Sequence, residues 1–281
     1  MSDAITLLRQ PSTTLTHQRH PFVFASALLP LALLVLPLLA IVPMSFTATD
    51  FVALPPSKWG FAAYRHLLVA PGWGEAVLSS LEVAAGAAGL AIITGTTAAI
   101  GINRLHGVAA NLVTGLVLTP LALPVVVMGL AQFEFFARLH LDGSLLGIAL
   151  AHGVLGVPYT FLTMRAALTR LDVNLLRAAE SLGAGAWSLL RWVYLPILLP
   201  AVLAGAVLAY GASLEEVVIA MFLSGPRAIT LPVKLFTELQ YNLSPIILAV
   251  ATLLLGVVLM FGLVVAGVIG ARSRGPAART G

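Results

Sequence analysis

An all-α, polytopic membrane fold with six transmembrane helices is predicted by three observations on this 281-residue sequence. Apolar residues make up 59% and the four charged types only 9%, whereas soluble domains run near 45–50% and about 25%. Six stretches stay apolar over the roughly 20 residues that a helix needs to cross a hydrocarbon core. Between them, Lys and Arg collect unequally on alternate sides. The mean hydropathy of +1.02 places most of the chain in lipid. A soluble catalytic domain is excluded, because no stretch of about 100 residues reaches ordinary charge density.

The expected spans are 22–46, 75–102, 109–136, 144–164, 199–223 and 244–270, within a transmembrane domain 22–270 flanked by an arm, 1–21, and a tail, 271–281. None contains Lys or Arg, and none has more than two acids. In lipid the backbone must satisfy its own hydrogen bonds, so each span is a helix unless a barrel closes. Alternating strand-length segments are absent and Leu, Ala and Gly dominate, which selects helices. The first span is too long for the 7–15-residue core of a cleaved leader, and is expected to stay as an anchor. There is no Cys, so thiolate metal sites and cysteine nucleophiles are excluded.

One side of the membrane receives Arg9, Arg19, Arg104, Arg165, Arg170, Arg177, Arg191, Arg272, Arg274 and Arg279. The other receives Lys58, Arg65, Arg138, Arg227 and Lys234. The positive-inside rule puts the richer side, and with it both termini, in the cytoplasm. The net charge of +4 is therefore a topology signal and not a nucleic-acid footprint. Trp59, Tyr64, Trp73 and Trp187 fall near span boundaries, as interfacial aromatics do.

Pro30, Pro37, Pro43, Pro120, Pro124 and Pro158 lie inside spans, where each removes a donor and bends its helix. Shaping kinks are the preferred reading over moving hinges. Gly86–Gly89 and Gly205–Ala209–Ala212 supply small residues at helical spacing, which permit close helix contact.

The connection 165–198 differs from the others, being both basic and apolar. Asp172 is placed to cap a short helix from Val173, with Leu175, Leu176, Ala179 and Leu182 recurring at helical spacing. Gly183 offers a turn or a place for close backbone approach, and Trp187–Val193 a second short helix before Pro196 and Pro200 open the fifth span. Such a hairpin lies flat on headgroups or docks into a partner, and physics alone leaves both open.

The residues Arg177-Ala178-Ala179, then Leu182-Gly183-Ala184, then Val193-Tyr194-Leu195-Pro196 and Pro200, resemble the EAA loop of ABC importer permeases. The resemblance implies a coupling helix seated in a groove of a separate ATPase subunit. It assigns the contact to Arg177, Ala178, Ala179, Glu180, Leu182, Gly183, Ala184, Leu195 and Pro196. This sequence departs from the family in carrying Arg177 where the family has Glu. Glu180, three residues on, lies near the same helix face and partly compensates. Downstream, Ser213-Leu214-Glu215-Glu216-Val217-Val218, Phe222-Leu223-Ser224-Gly225-Pro226 and Thr230-Leu231-Pro232-Val233 resemble spermidine/putrescine-type permeases, the second permease subunit in particular. That resemblance implies a bacterial inner-membrane assembly of two homologous permeases, an ABC ATPase dimer and an extracytoplasmic solute-binding protein. The binding protein is expected on loops 47–74 and 224–243. ATP would be used by the partner ATPase, and this chain needs no cofactor of its own.

Ionisable groups inside spans are costly and mark functional candidates. Glu82 shares a face with Ser79, Gly86 and Gly89. Glu216 is expected on a face with Gly205, Ala209 and Ala212, near Glu215, Tyr210 and Ser213. The functional reading makes Glu82, Tyr210, Ser213, Glu215 and Glu216 the lining of a path for an organic cation. The plainer one gives the acids fixed hydrogen bonds or an interfacial position, and is preferred for Glu134. His152 reads as a packed, hydrogen-bonded histidine, with no second ligand at metal-binding spacing. His17 and His20 read as part of a solvated arm.

Three function classes compete: an ATP-driven permease, an intramembrane enzyme, and a secondary transporter or channel. The enzyme lacks any His-Glu-x-x-His or Gly-x-Ser-x-Gly motif. No phosphate-binding Gly-x-x-x-x-Gly-Lys-[Ser/Thr] loop occurs, so ATP hydrolysis would belong to another chain. A secondary transporter more often shows paired repeats and broken helices, and the sequence displays neither. The permease, the class least encumbered by missing parts, is the expected function, with a polyamine or another small solute as cargo.

Overall fold

The structure, a computed structural model, describes residues 21–103, 105–241 and 244–273. His17, His20, Arg9, Arg19, Arg104, Arg274 and Arg279 lie outside the described residues. The helices run α1 (Pro21–Ser45), α2 (Ala62–Val69), α3 (Trp73–Ile102), α4 (Gly107–Ala122), α5 (Val125–Arg138), α6 (Leu145–Leu168), α7 (Val173–Ser181) and α8 (Ala186–Leu189). A π-helical turn, Leu190–Tyr194, leads to α9 (Leu195–Glu215), α10 (Val218–Leu223), α11 (Leu231–Tyr241) and α12 (Pro245–Ser273). Among the described residues no strand forms, only isolated bridges pairing Thr47 with Trp59 and Gly225 with Ala228.

Among the described residues, segments in α1, α3 and α6, and the run Trp187–Glu215, are long and apolar enough to cross a membrane, and α4 with α5 passes only as a bent pair, with the geometry of a broken span or a re-entrant loop. The sixth expected span falls on α12, 29 residues long. α3, with 30 residues, extends about 45 Å, well beyond a hydrocarbon core of about 30 Å.

The chain forms two compact units: α1 through Arg65 together with α12 from Leu248, and residues His66–Ile247. In the first, α1 presents its leucines outward, with Leu29 and Leu33 about three-quarters exposed. After α1 the chain closes a loop, with Ala48 N–H donating to Lys58 O and Gly60 N–H to Phe46 O, both at 2.9 Å. Ser45 Oγ and Tyr64 OH share a 2.7 Å hydrogen bond, beside an aromatic cluster of Phe46, Phe61 and Tyr64.

The second unit is built on α3, α6 and α9. Lipid gives helices no hydrophobic reason to associate, so close packing and interhelical hydrogen bonds must do it. Small residues supply the first. A Cβ on Gly156 would come within 3.0 Å of Ala91 Cβ and 3.1 Å of Ala209 Cβ, so three helices meet at one glycine. A Cβ on Gly95 would meet the Val157 carbonyl at 2.9 Å. Gly86 approaches Ala149 and Gly205 approaches Thr160, whereas Gly89 has nothing within 4 Å. Thr160 Oγ1 donates to Ala91 O across the α3–α6 contact at 2.7 Å, and Ser80 Oγ accepts from Leu231 N–H at 2.7 Å.

Two expected spans prove discontinuous. The 109–136 segment breaks between α4 and α5, whose axes differ by 104°. Pro120 and Pro124 lie one helical turn apart and both lack an N–H, so the carbonyls of Leu116 and Pro120 lose their donors. Leu123 adopts ψ 140°, the extended conformation favoured before proline. The 199–223 segment is also interrupted: α9 begins earlier, at Leu195, and stops at Glu215, and Glu216 is extended with ψ 116°. Broken helices are therefore present, contrary to the sequence reading, and their presence no longer separates the function classes. α6 runs four residues beyond the expected end of its span and carries Arg165 in its last turn. Pro158 lies inside α6 and Pro30, Pro37 and Pro43 inside α1 without ending either helix. Trp73 is buried beneath Lys234, whose Nζ lies 5.6 Å from the ring centroid, and is not a free interfacial aromatic.

Candidate coupling loop and translocation path

The loop between α6 and α9 is a helical hairpin. Asp172 Oδ1 accepts from Asn174 N–H at 2.8 Å, satisfying an otherwise orphaned amide at the start of α7. At the other end Gly183 adopts φ +83°. Ala184 N–H reaches back to Ala179 O at 3.0 Å and Leu182 N–H to Ala178 O at 3.1 Å. This is the six-to-one closure of a Schellman cap, which needs a left-handed residue at the position Gly183 holds. The Ala-Ala and Leu-Gly-Ala parts of the motif thus build one local structure: the alanines supply the carbonyls and the glycine permits the reversal.

α8 and the π-helical turn follow. Pro196 cannot donate to the carbonyl of Trp192, and the wide turn Leu190–Tyr194 occupies the place where that bond is missing. Leu182 is 89% exposed, and Trp187 and Trp192 are each 71% exposed. Arg191 stacks against Trp192. Arg177, Ala178, Gly183, Leu195 and Pro196 are exposed, and Ala179 and Ala184 half-buried. The side chains of Val173, Leu175, Leu176 and Glu180 lie outside the described residues. Leu182 therefore extends away from its own chain instead of completing an inward stripe.

The intramembrane residues separate into two groups. Glu82 on α3 and Glu215 at the end of α9 are exposed on this chain. Glu216 is half-buried and turned to local use, its Oε1 accepting from Ile219 N–H at 2.9 Å at the start of α10. It lies past the end of α9, so the shared face with Gly205, Ala209 and Ala212 does not form. Tyr210 is half-buried against Ala88, Ala91 and Ala209. Ser213 is buried, and its Oγ lies 2.8 Å from Nδ1 of His152 on α6. Glu134 pairs with Arg138 on the exposed face of its own helix, 2.7 Å apart. Among the described residues, no three His, Cys, Asp or Glu side chains gather as a metal site.

The His152–Ser213 bond spans 61 positions in sequence, and nothing in either segment announces it. The same is true of Gln132, whose Nε2 donates to Ala151 O at 3.3 Å.

Comparison with known proteins settles the family. Residues 91–275 match the family described as "Binding-protein-dependent transport system inner membrane component". The chain belongs to this family. It is 34% identical over 255 residues to the putrescine transport system permease protein PotI of Escherichia coli (strain K12), covering 88% of this chain and 90% of the relative. It is 29% identical over 246 residues to the spermidine/putrescine transport system permease protein PotC of the same organism, covering 86% and 91%. A crystal structure of a bacterial ABC transporter involved in the import of the acidic polysaccharide alginate contains a chain with a TM-score of 0.68 at 17% identity, covering 87% of this chain and 94% of that one. The fold is that of an ABC importer permease. This permease is a multi-pass inner-membrane subunit and not an enzyme in its own right.

Proposed function

We propose that this permease forms half of the translocation path of a polyamine importer, driven by an ABC ATPase dimer and supplied by an extracytoplasmic binding protein. The observation that carries the substrate class is its 34% identity, along 88% of the chain, to a putrescine permease. A second, homologous permease completes the pair. Both termini and the 165–198 hairpin are cytoplasmic, and loops 47–74 and 224–243 receive the loaded binding protein.

The geometry supports this division of labour. The hairpin presents exposed Leu182, Trp187 and Trp192 around a glycine-capped turn, the chemistry of a helix that docks into an apolar groove. Glu82 lies about 14 Å along α3 from Trp73, and its carboxylate is exposed on this chain. An ionised carboxylate facing hydrocarbon at that depth is disfavoured, so it faces water or a second subunit. Glu82 and Glu215 are therefore the residues of this chain best placed to attract an organic cation along a path between subunits, and Tyr210 packs against Ala88, Ala91 and Ala209 of the same bundle. ATP-driven closure of the ATPases moves the docked hairpins and favours the outward-open state, and hydrolysis resets it. Each step requires that ATP, or the loaded binding protein, bind the two states with different affinity.

Uptake of radiolabelled putrescine and spermidine by cells carrying the complete transporter, against a deletion of this permease, tests the reading. Loss of polyamine uptake in the deletion and its return on complementation are expected. Unchanged uptake of both would overturn the substrate assignment.

A further inference from the structure

The broken fifth span is held on both sides by consecutive residues of α6. On one side, His152 Nδ1 bonds to Ser213 Oγ in the last turn of α9, at 2.8 Å and in a buried setting. On the other, the Ala151 carbonyl accepts from Gln132 of α5. α5 in turn carries α10: a Cβ on Gly129 would come within 2.7 Å of the Phe222 ring. Gly143 N–H also donates to Leu223 O at 2.9 Å. Between the two holds lie Glu215 and Glu216, at the point where α9 stops.

The imidazole is an expensive way to make this joint. Its Nε2 is buried without a hydrogen-bond partner among the described residues, and an unsatisfied buried polar atom destabilises a fold. An apolar pair of similar shape would remove that penalty. We propose that His152 is a positioning residue for transport, which through Ser213 fixes the last turn of α9 on α6 and so sets where the Glu215 carboxylate stands. The proposal rests on the reading of Glu215 as part of the solute path.

The side-chain geometry supplies the test. Asn places a polar atom near the position of the imidazole Nδ1, whereas Gln reaches the position of Nε2. The chain has no Cys, so spin labels at Val154→Cys and Glu215→Cys report the α6–α9 spacing in a transporter assembled with cysteine-free partner subunits. His152→Asn keeps a narrow label distribution, and His152→Gln and His152→Phe broaden it. In chains without labels, the ATP hydrolysed per putrescine imported rises about threefold or more in His152→Phe, with stimulation of the ATPase by the binding protein retained. The double variant His152→Phe/Ser213→Ala unfolds at or above the wild-type temperature, yet keeps the broad distribution and the raised ratio. A double variant with wild-type spacing and wild-type ratio would overturn the proposal, as would equal behaviour of the Asn and Gln variants. Normal uptake by Glu215→Gln would instead remove Glu215 from the path, while the label distributions still report whether His152 holds the joint.

Discussion

Ala184 donates its amide to the carbonyl of Ala179, 3.0 Å away, across a Gly183 held at φ +83°. That closure turns the coupling-loop motif into a physical object: a short helix ended by a tight reversal, with Leu182 exposed at its tip. A Cβ on Gly183 would meet nothing within 4 Å, so the constraint there is backbone conformation and not space.

Gly183→Val is accordingly expected to leave the transmembrane helices folded while distorting the reversal, at a local cost of about 1–2 kcal/mol. Far-ultraviolet circular dichroism and thermal unfolding should stay close to wild type, and ATPase copurification should fall. Undiminished copurification and uptake would separate the reversal from docking.

Glu215 and Glu216 are adjacent in sequence but do different work. Glu216→Ala removes the acceptor for Ile219 N–H and should cost about 0.5–2 kcal/mol, the usual range for a lost cap. Glu216→Gln keeps an acceptor oxygen and should import polyamine nearly normally. Glu215→Gln, with the same loss of charge on an exposed side chain, should import less at equal expression. Equal uptake by the two Gln variants would contradict this separation.

Gly156 lies where Ala91 and Ala209 converge. Gly156→Leu should force α3, α6 and α9 apart and lower the unfolding temperature in detergent sharply, since overpacking costs about 1–3 kcal/mol even where neighbours can shift. Gly89→Leu, with nothing within 4 Å of the new Cβ, is the matched control and should unfold near the wild-type temperature. Similar losses in both would argue against the three-helix junction.

The contrast between those glycines shows which features sequence carries. Composition and apolar run length report the solvent, because each residue contributes independently, and the helical membrane class follows from them. The local structure of the α6–α9 hairpin is legible because its capping Asp172, its Ala179 carbonyl and its Gly183 reversal all lie within a dozen positions. The break at Leu123–Pro124 was only half legible. Two prolines a turn apart announce a bend, but whether the chain curves or folds back by 104° is decided by what α5 packs against. Helical-face counting puts Glu216 on the wrong face because it assumes that the helix continues, whereas α9 stops one residue earlier. The His152–Ser213 and Gln132–Ala151 bonds join segments far apart in sequence, so no local pattern records them.

The central claim is that the α6–α9 hairpin is the cytoplasmic contact with the ATPase. The native chain lacks Cys, so Leu182→Cys is the one thiol of this chain, placed at the exposed tip and read against the same transporter without the substitution. In inside-out membrane vesicles containing the whole transporter, a short bifunctional crosslinker should join Cys at this position to the ATPase subunit, and a membrane-impermeant maleimide should reach it from the cytoplasmic face alone. Labelling from the extracytoplasmic face of intact cells, or crosslinking to lipid with none to the ATPase, would contradict the account.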